Sequence, residues 1–261
     1  MKLSIVTINY NNKAGLEKTI QSVIDQTFTE FEFIIIDGGS NDGGAEVIKA
    51  HEHRLTYWVS ERDKGVFHAM NKGIRIAKGD YLLMLNSGDY LHNNVVLKKI
   101  FENKTYTEDI LYGDVVREAG NKFLGNNFFP DKLTFGYLRK TPLSHQATFI
   151  RKSLHEKLGL YDEQLKFSAD WIFILKAICR HNATYRHIPV LTANCDCEGL
   201  TCNPANFVKM KIEMDHFFRE EFSVFVEDYE QMDRQEEQKF ANKWKRWKRQ
   251  LKSNLKKVVK K

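Results

Sequence analysis

The sequence predicts an α/β fold in which a mostly parallel sheet is flanked by helices. Short apolar runs rich in β-formers alternate with segments of helical spacing through the first 86 residues. Each run stops abruptly in small, polar, turn-forming residues, as buried parallel strands do at their carboxyl ends. The 261 residues, 42% hydrophobic and 28% charged, have the composition of a globular chain with a sizeable core.

Residues 3–8 read as the first strand, and Asn9-Tyr10-Asn11-Asn12 as the turn after it. Leu16, Ile20, Val23 and Ile24 recur at helical spacing, and residues 31–36 make a second buried strand. A helix near residues 45–50, a strand near 55–59, a helix over about 66–77 and a strand over 81–85 continue the alternation. Four strands separated by three helices indicate right-handed βαβ units, hence parallel neighbours. From about Asp109 the pattern loosens. Residues 110–116 suit a strand carrying Asp114, 123–142 are irregular and aromatic, 147–150 form a short strand, and a helix runs over about 170–180. Residues 220–238 are acid-rich and polar, either helical or partly disordered.

No apolar run approaches the roughly 20 residues that span a bilayer, and the apolar stretch after Lys2 is too short for a signal peptide. The chain is therefore expected to be intracellular and cytoplasmic. Cys179, Cys195, Cys197 and Cys202 lack paired spacing and read as reduced thiols, the alternative being a zinc set with His187. The net charge of +6 is unevenly held. Residues 239–261 contain 11 of the 40 Lys and Arg and no acid, which leaves 29 bases against 34 acids in the remainder. A mildly acidic body does not suggest nucleic-acid binding.

The run Ile34-Ile35-Ile36 ends in Asp37, and ligands of open α/β sheets sit at that edge. The other strands end in Asn9-Tyr10-Asn11, in Glu61-Arg62-Asp63 and in Asn86-Ser87-Gly88-Asp89. In a parallel sheet all four clusters share one edge and form a composite site. No Gly-x-Gly-x-x-Gly follows the first strand, which disfavours a dinucleotide-dependent hydride transfer.

These motifs, in this order, resemble the family 2 glycosyltransferases, which have the GT-A fold. The matching residues are 4–11, Gln26-Thr27-Phe28, Ile36-Asp37-Gly38-Gly39-Ser40, and Asp63-Lys64-Gly65 through Ala69-Met70-Asn71-Lys72-Gly73 to Gly79-Asp80. Leu85-Asn86-Ser87-Gly88-Asp89 and Asp170-Trp171 complete the set, so that the resemblance covers roughly residues 3–180. It is closest to the subgroup that builds bacterial surface polysaccharides and glycolipids. It implies a GT-A domain over 1–215, with a nucleotide-sugar half at about 1–110 and an acceptor half at about 111–215. An acidic connector over 216–238 and a basic tail over 239–261 follow.

The resemblance implies that Asp37 binds the base of a nucleoside-diphosphate sugar, a UDP-sugar in the first place, with Tyr10 beside it. The alternative for Asp37 is a turn acid capping the next helix. Asn86-Ser87-Gly88-Asp89 takes the place of the family's Asp-x-Asp metal motif, although Asn86 and Gly88 stand where acids commonly stand. Asp89 is left as the ligand of a divalent metal, Mg2+ or Mn2+, and Asn86 is a donor contact; a capped turn is the alternative. Asp170 falls at the family's catalytic base for an inverting transfer, against a simple helix-start acid with Ser168 as its N-cap. Ala169 stands just before it, where many members have an acid. His145 and Asp114 are possible acceptor or metal contacts, His145 having an equal claim to a structural role; Asp63 and Arg62 can reach the ribose or diphosphate.

In the tail, Phe240, Trp244, Trp247, Leu251, Leu255 and Val258 form one apolar stripe among Lys and Arg. Such a helix suits an anionic membrane surface, against a helix docked on the body or a nucleic-acid-binding tail. The expected enzyme is a glycosyltransferase acting on a glycan or lipid-linked acceptor at the inner face of the membrane. Its rivals are a non-catalytic nucleotide-sugar binder and a membrane or nucleic-acid scaffold acting through the tail.

Overall fold

The computed structural model describes residues 2–120, 122–199 and 203–258. Its first unit is Met1–Glu213 and its second Met214–Lys261. Strand β1 (Leu3–Asn9), helix α1 (Lys13–Ile24), strand β2 (Phe31–Asp37), helix α2 (Gly44–Ala50), strand β3 (Tyr57–Ser60), helix α3 (Val66–Ile76) and strand β4 (Tyr81–Met84) follow the predicted order. Strand β5 (Tyr90–Leu91), helix α4 (Val96–Phe101), strands β6 (Ile110–Ala119) and β7 (Lys122–Asn127), and short helix α5 (Phe135–Leu138) come next. Strand β8 (Thr148–Arg151), helices α6 (Lys152–Leu158) and α7 (Ala169–Cys179), strand β9 (Tyr185–Asp196), and helices α8 (Pro204–Glu221) and α9 (Ser223–Val258) complete the chain.

The sheet order is β3-β2-β1-β4-β8-β6-β9-β5, with β7 on β6. The first four strands are mutually parallel, as their helical crossovers require. Beyond them β8 runs antiparallel to β4 and β6, while β6 and β9 are parallel. One core packs Leu16, Ile20 and Val23 of α1 and Val47 and Ile48 of α2 against Leu3, Ile5, Phe33 and Ile35 of the sheet. Helix α3 meets β1 at Gly73, where an added Cβ would lie 2.3 Å from Val6 Cγ1. Only a glycine permits that approach.

Three strands escape sequence reading. β7 lies in the stretch taken as irregular; it is mostly exposed and carries Gly125, Asn126 and Asn127, so no apolar run marks it. β9 is masked by Pro189, which falls within the register shift between Tyr112 and Asp114 of its neighbour. β5 has two residues, too few for any periodicity.

Residues 220–238 are helical apart from a break at Phe222, and α9 carries the helix from there through the tail. Trp244 and Trp247 stack at 4.8 Å and are about half exposed. The side chains of Leu251, Leu255 and Val258, and Cys202 altogether, lie outside the described residues. Among the described residues no helix is long and apolar enough to cross a membrane.

Candidate active site

Parallel register sets Asn9 beside Asp37 and Asp37 beside Ser60 at the carboxyl edge. Asp37 is fully buried. Its Oδ1 accepts from Asn9 Nδ2 (2.7 Å) and Ser40 Oγ (2.5 Å), and its Oδ2 from the amides of Gly39 (3.2 Å) and Ser40 (2.9 Å) and from Ser60 Oγ (2.6 Å). Burial opposes its charge, but the hydrogen bonds of Ser40, Ser60 and Asn9 prevail and hold the carboxyl below its ordinary range. With both oxygens occupied, Asp37 joins strand ends and shapes the following loop.

The surface above it belongs to Tyr10, Gly38 and Asp63. Tyr10 is 68% exposed on a turn whose Asn11 bonds to Ser40 and Asn41 of the next loop. A Cβ at Gly38 would stand 3.2 Å from Tyr10 Cδ2 and 3.2 Å from Asp63 Oδ2. Lys72 (2.6 Å) and His68 (3.1 Å) hold Asp63 by Oδ1, which leaves Oδ2 toward Gly38. A flat ring laid on Tyr10 can thus direct an N–H toward Asp63.

A cleft of about 430 Å³ adjoins the β4–β5 turn. Asn86 and Asp89 of that turn, His145 and Gln146 of the 3₁₀ turn before β8, Asp170 of α7 and Asp196 of β9 all line it. His145 is the junction, with Nδ1 3.2 Å from Asp170 Oδ2 and Nε2 3.1 Å from Asn86 Nδ2. A neutral ring protonated on Nδ1 satisfies both, donating to Asp170 and accepting from Asn86. Burial lowers its pKa, but the hydrogen bond and charge of Asp170, with the charge of Asp89, give a net upward shift. Gln146 Nε2 donates to Asp89 Oδ2 (3.0 Å), and the Asp196 amide to Asp89 Oδ1 (2.9 Å). Two adjacent residues thereby tie the turn to the base of α7.

Burial pushes the Asp89 carboxyl up to about 6, with part offset by His145 and its two hydrogen bonds and part added by the Asp196 carboxylate. Asn86 Oδ1 is buried without a hydrogen-bond partner. A divalent cation would relieve both, and hard oxygen donors are the set it prefers. These residues fit such an ion. Among the described residues no three or more His, Cys, Asp or Glu gather around one point, so substrate oxygens and water would fill much of the shell.

Asp170 keeps one oxygen on its own helix, Oδ1 accepting from the Trp171 amide (2.9 Å), and turns the other to His145. Ser168, expected to cap α7, instead donates its hydroxyl to Glu213 Oε2 (2.6 Å). Glu213 also accepts from the amides of Lys166 and Phe167 and so fixes the loop at the rim of the cleft.

Asp114 does not reach the cleft, which corrects its expected acceptor or metal role. It is buried, and its Oδ1 accepts from the Phe129 amide (2.9 Å) and meets His187 Nε2 (2.9 Å). His187 in turn contacts Asp131 through Nδ1 (2.6 Å), so both partners are committed to the fold. Gln146, Lys166, Asp196 and Glu198 line the cleft without having been singled out in the sequence. Asp196 left one signal, an acid directly after Ala193-Asn194-Cys195, hidden because its strand was not recognised.

The family model described as glycosyl transferase family 2 matches residues 4–158. The chain belongs to this family. A PGL/p-HBAD biosynthesis glycosyltransferase of Mycobacterium bovis (strain BCG / Pasteur 1173P2) is 30% identical over 196 residues, 73% of this chain and 75% of the relative. An uncharacterized glycosyltransferase of Mycobacterium tuberculosis (strain ATCC 25618 / H37Rv) is 34% identical over 178 residues, 67% and 68% of the two chains. Among solved structures, S. aureus TarS 1-349 in complex with UDP aligns with a TM-score of 0.62 at 22% identity, over 75% of this chain and 60% of that one. Mannosyltransferase PcManGT from Pyrobaculum calidifontis in complex with GDP-Man and Mn2+ aligns with a TM-score of 0.58 at 15% identity, over 74% and 56%. The chain spans less than two thirds of both solved chains, and the likeness to them is one of fold. This glycosyltransferase therefore has the expected GT-A architecture. The matched segment carries Tyr10, Asp37, Asp63, Asn86, Asp89 and His145, and Asp170 and Asp196 lie beyond it.

Proposed function

We propose that this glycosyltransferase transfers a sugar, with inversion, from a nucleoside-diphosphate donor to a hydroxyl of a glycan or lipid-linked acceptor in cell-surface polysaccharide or glycolipid synthesis. The observation that carries the reading is the convergence of Asp89 and Asp170 on one cleft, linked through His145 and Gln146. The relative's part in PGL/p-HBAD biosynthesis supports a biosynthetic transfer. UDP and GDP-Man in the two solved neighbours support a nucleoside-diphosphate donor.

The base lies on Tyr10, over the loop held by Asp37, and donates its ring N–H to Asp63 Oδ2. One free carboxylate oxygen suits the single imino N–H of uracil, which favours a UDP-sugar. Asn86 and Asp89 would hold Mg2+ or Mn2+, and such an ion, when bound, neutralises the charge of the diphosphate leaving group. Asp170 takes the proton of the acceptor hydroxyl as its oxygen bonds to the anomeric carbon. The bond to the diphosphate breaks on the opposite face, and its electron pair leaves with the diphosphate. His145 keeps the Asp170 carboxylate aimed into the cleft. Residues 239–261 would seat the enzyme peripherally on the anionic inner face of the membrane, a cytoplasmic placement near lipid-linked acceptors.

The test is a panel of nucleotide sugars with Mn2+ and the purified full chain, read by calorimetry and by nucleoside-diphosphate release. One donor is expected to bind and turn over. Asp170→Asn should leave donor affinity at the wild-type level and slow transfer by about 100-fold or more. Wild-type transfer by that variant would remove the base assignment, and failure of every nucleotide sugar to bind would remove the whole reading.

A further inference from the structure

Position 88 presents a puzzle. A metal motif of this kind offers two carboxylates, yet Gly88 has no side chain and Asp89 stands alone in its turn. We propose that Asp196, delivered by the end of β9, supplies the second carboxylate of the divalent-metal site in place of the acid missing at position 88. This rests on the metal-dependent reading given above and assigns it a residue far outside the turn.

The register of the sheet makes the assignment. β5 pairs antiparallel with β9, Tyr90 opposite Asn194 and Leu91 opposite Ala193. Extending that register back by two residues sets Asp196 across from Gly88, and side chains at directly opposed positions approach to about 5 Å. A Cβ built at Gly88 would stand 3.3 Å from Asp196 Oδ2 and 3.7 Å from Asp196 Cβ. A side chain at 88 would therefore enter the space that the Asp196 carboxylate fills. Gly88 also has a φ of +104°, which strains any residue with a Cβ. Glycine at 88 and an acid at 196 are two halves of one arrangement.

Asp196 is directed to the correct place for this role. Its amide donates to Asp89 Oδ1, so the two carboxylates are neighbours, and both line the reaction cleft. Its Oδ1 accepts from the Glu198 amide (2.9 Å), and Oδ2 is the oxygen beside Gly88. Two adjacent carboxylates repel unless a cation lies between them. Asn86 Oδ1, buried and unpartnered, adds a third hard oxygen at the same turn.

The experiment is a Mn2+ titration of the full chain followed by electron paramagnetic resonance, with Mn2+ alone and with Mn2+ plus UDP. Wild type, Asp89→Asn, Asp196→Asn and Asp196→Glu are compared, and circular dichroism checks folding. Asp196→Asn keeps the backbone donor to Asp89 and should weaken Mn2+ binding by about tenfold or more, as should Asp89→Asn. Asp196→Glu should retain most of the affinity. Wild-type Mn2+ affinity in a folded Asp196→Asn, alongside a loss in Asp89→Asn, would overturn the assignment and leave the metal reading standing. If Asp196→Asn fails to fold, loss of binding in a folded Asp196→Glu would overturn it equally. No saturable Mn2+ binding by the wild type in either condition would overturn both.

Discussion

Asp37 and Asp89 are both buried, yet their surroundings drive their protons in opposite directions. Five donors surround Asp37 and stabilise its charge, whereas Asp89 has two, with the Asp196 carboxylate close by. The first has its charge met by donors on both oxygens; the second is buried with one donor to each oxygen. His155 of α6 is a third case, stacked on Phe173 at 4.3 Å with Nε2 buried and unpartnered. Burial lowers its pKa to about 4, against a weak opposing hydrogen bond to the Gly159 carbonyl. The unfolded chain binds this proton below the ordinary 6.5 and the folded one only near 4, so its contribution to stability is complete above 6.5 and is lost as pH falls toward 4. The loss amounts to about 3 kcal/mol at full effect. His155→Phe keeps the stacked ring and should flatten the fall in urea midpoint between pH 6.5 and 4; a profile identical to wild type would remove His155 as its source.

Among the elements, several motif residues turn out to brace the site from outside it. Asn71 of α3 bonds through both ends of its amide to Tyr161 and to Glu163, Lys72 reaches Asp63, and Gly73 lets the helix lie on β1. Gln26 accepts from the Leu97 amide and donates to the Asn93 carbonyl, which anchors the start of α4. Asp37 does the same for three strand ends. Asp37→Ala would leave buried amide and hydroxyl donors without an acceptor, at a cost of about 3 kcal/mol or more. The expected result is a lower urea midpoint together with weaker donor binding in calorimetry. An unchanged midpoint would show that the hub is dispensable, and unchanged affinity would place the base elsewhere.

The whole molecule joins a catalytic unit to a helical extension that ends in a strongly basic segment. The 36 residues of α9 extend roughly 54 Å as a straight helix. Its exposed Phe240, Trp244 and Trp247 lie among cations, with Lys248 Nζ 5.1 Å from the Trp244 ring. Each cation near an anionic surface contributes about 1 kcal/mol, so on the proposed reading those of residues 239–261 that face the membrane would hold the chain there. Deleting 239–261 is expected to abolish co-sedimentation with phosphatidylserine vesicles while donor turnover persists. Retained vesicle binding would refute the membrane role, and loss of turnover as well would favour a scaffold acting through its tail.

By itself the sequence determined the parallel half of the sheet, because apolar runs and helical spacing are local signals and the chirality of βαβ crossovers leaves few ways to join them. It also located Asp37, Asn86, Asp89 and Asp170 at element ends, where polar residues interrupt apolar patterns. Only the tertiary structure decided what each one touches. Asp37 became a buried hub because its hydrogen bonds draw on partners from three strands and the following loop. Asp114 fell away from the cleft because β9 and residues 128–133 close over it. Asp196 entered the cleft through an antiparallel register that no local pattern announces, opposite a glycine.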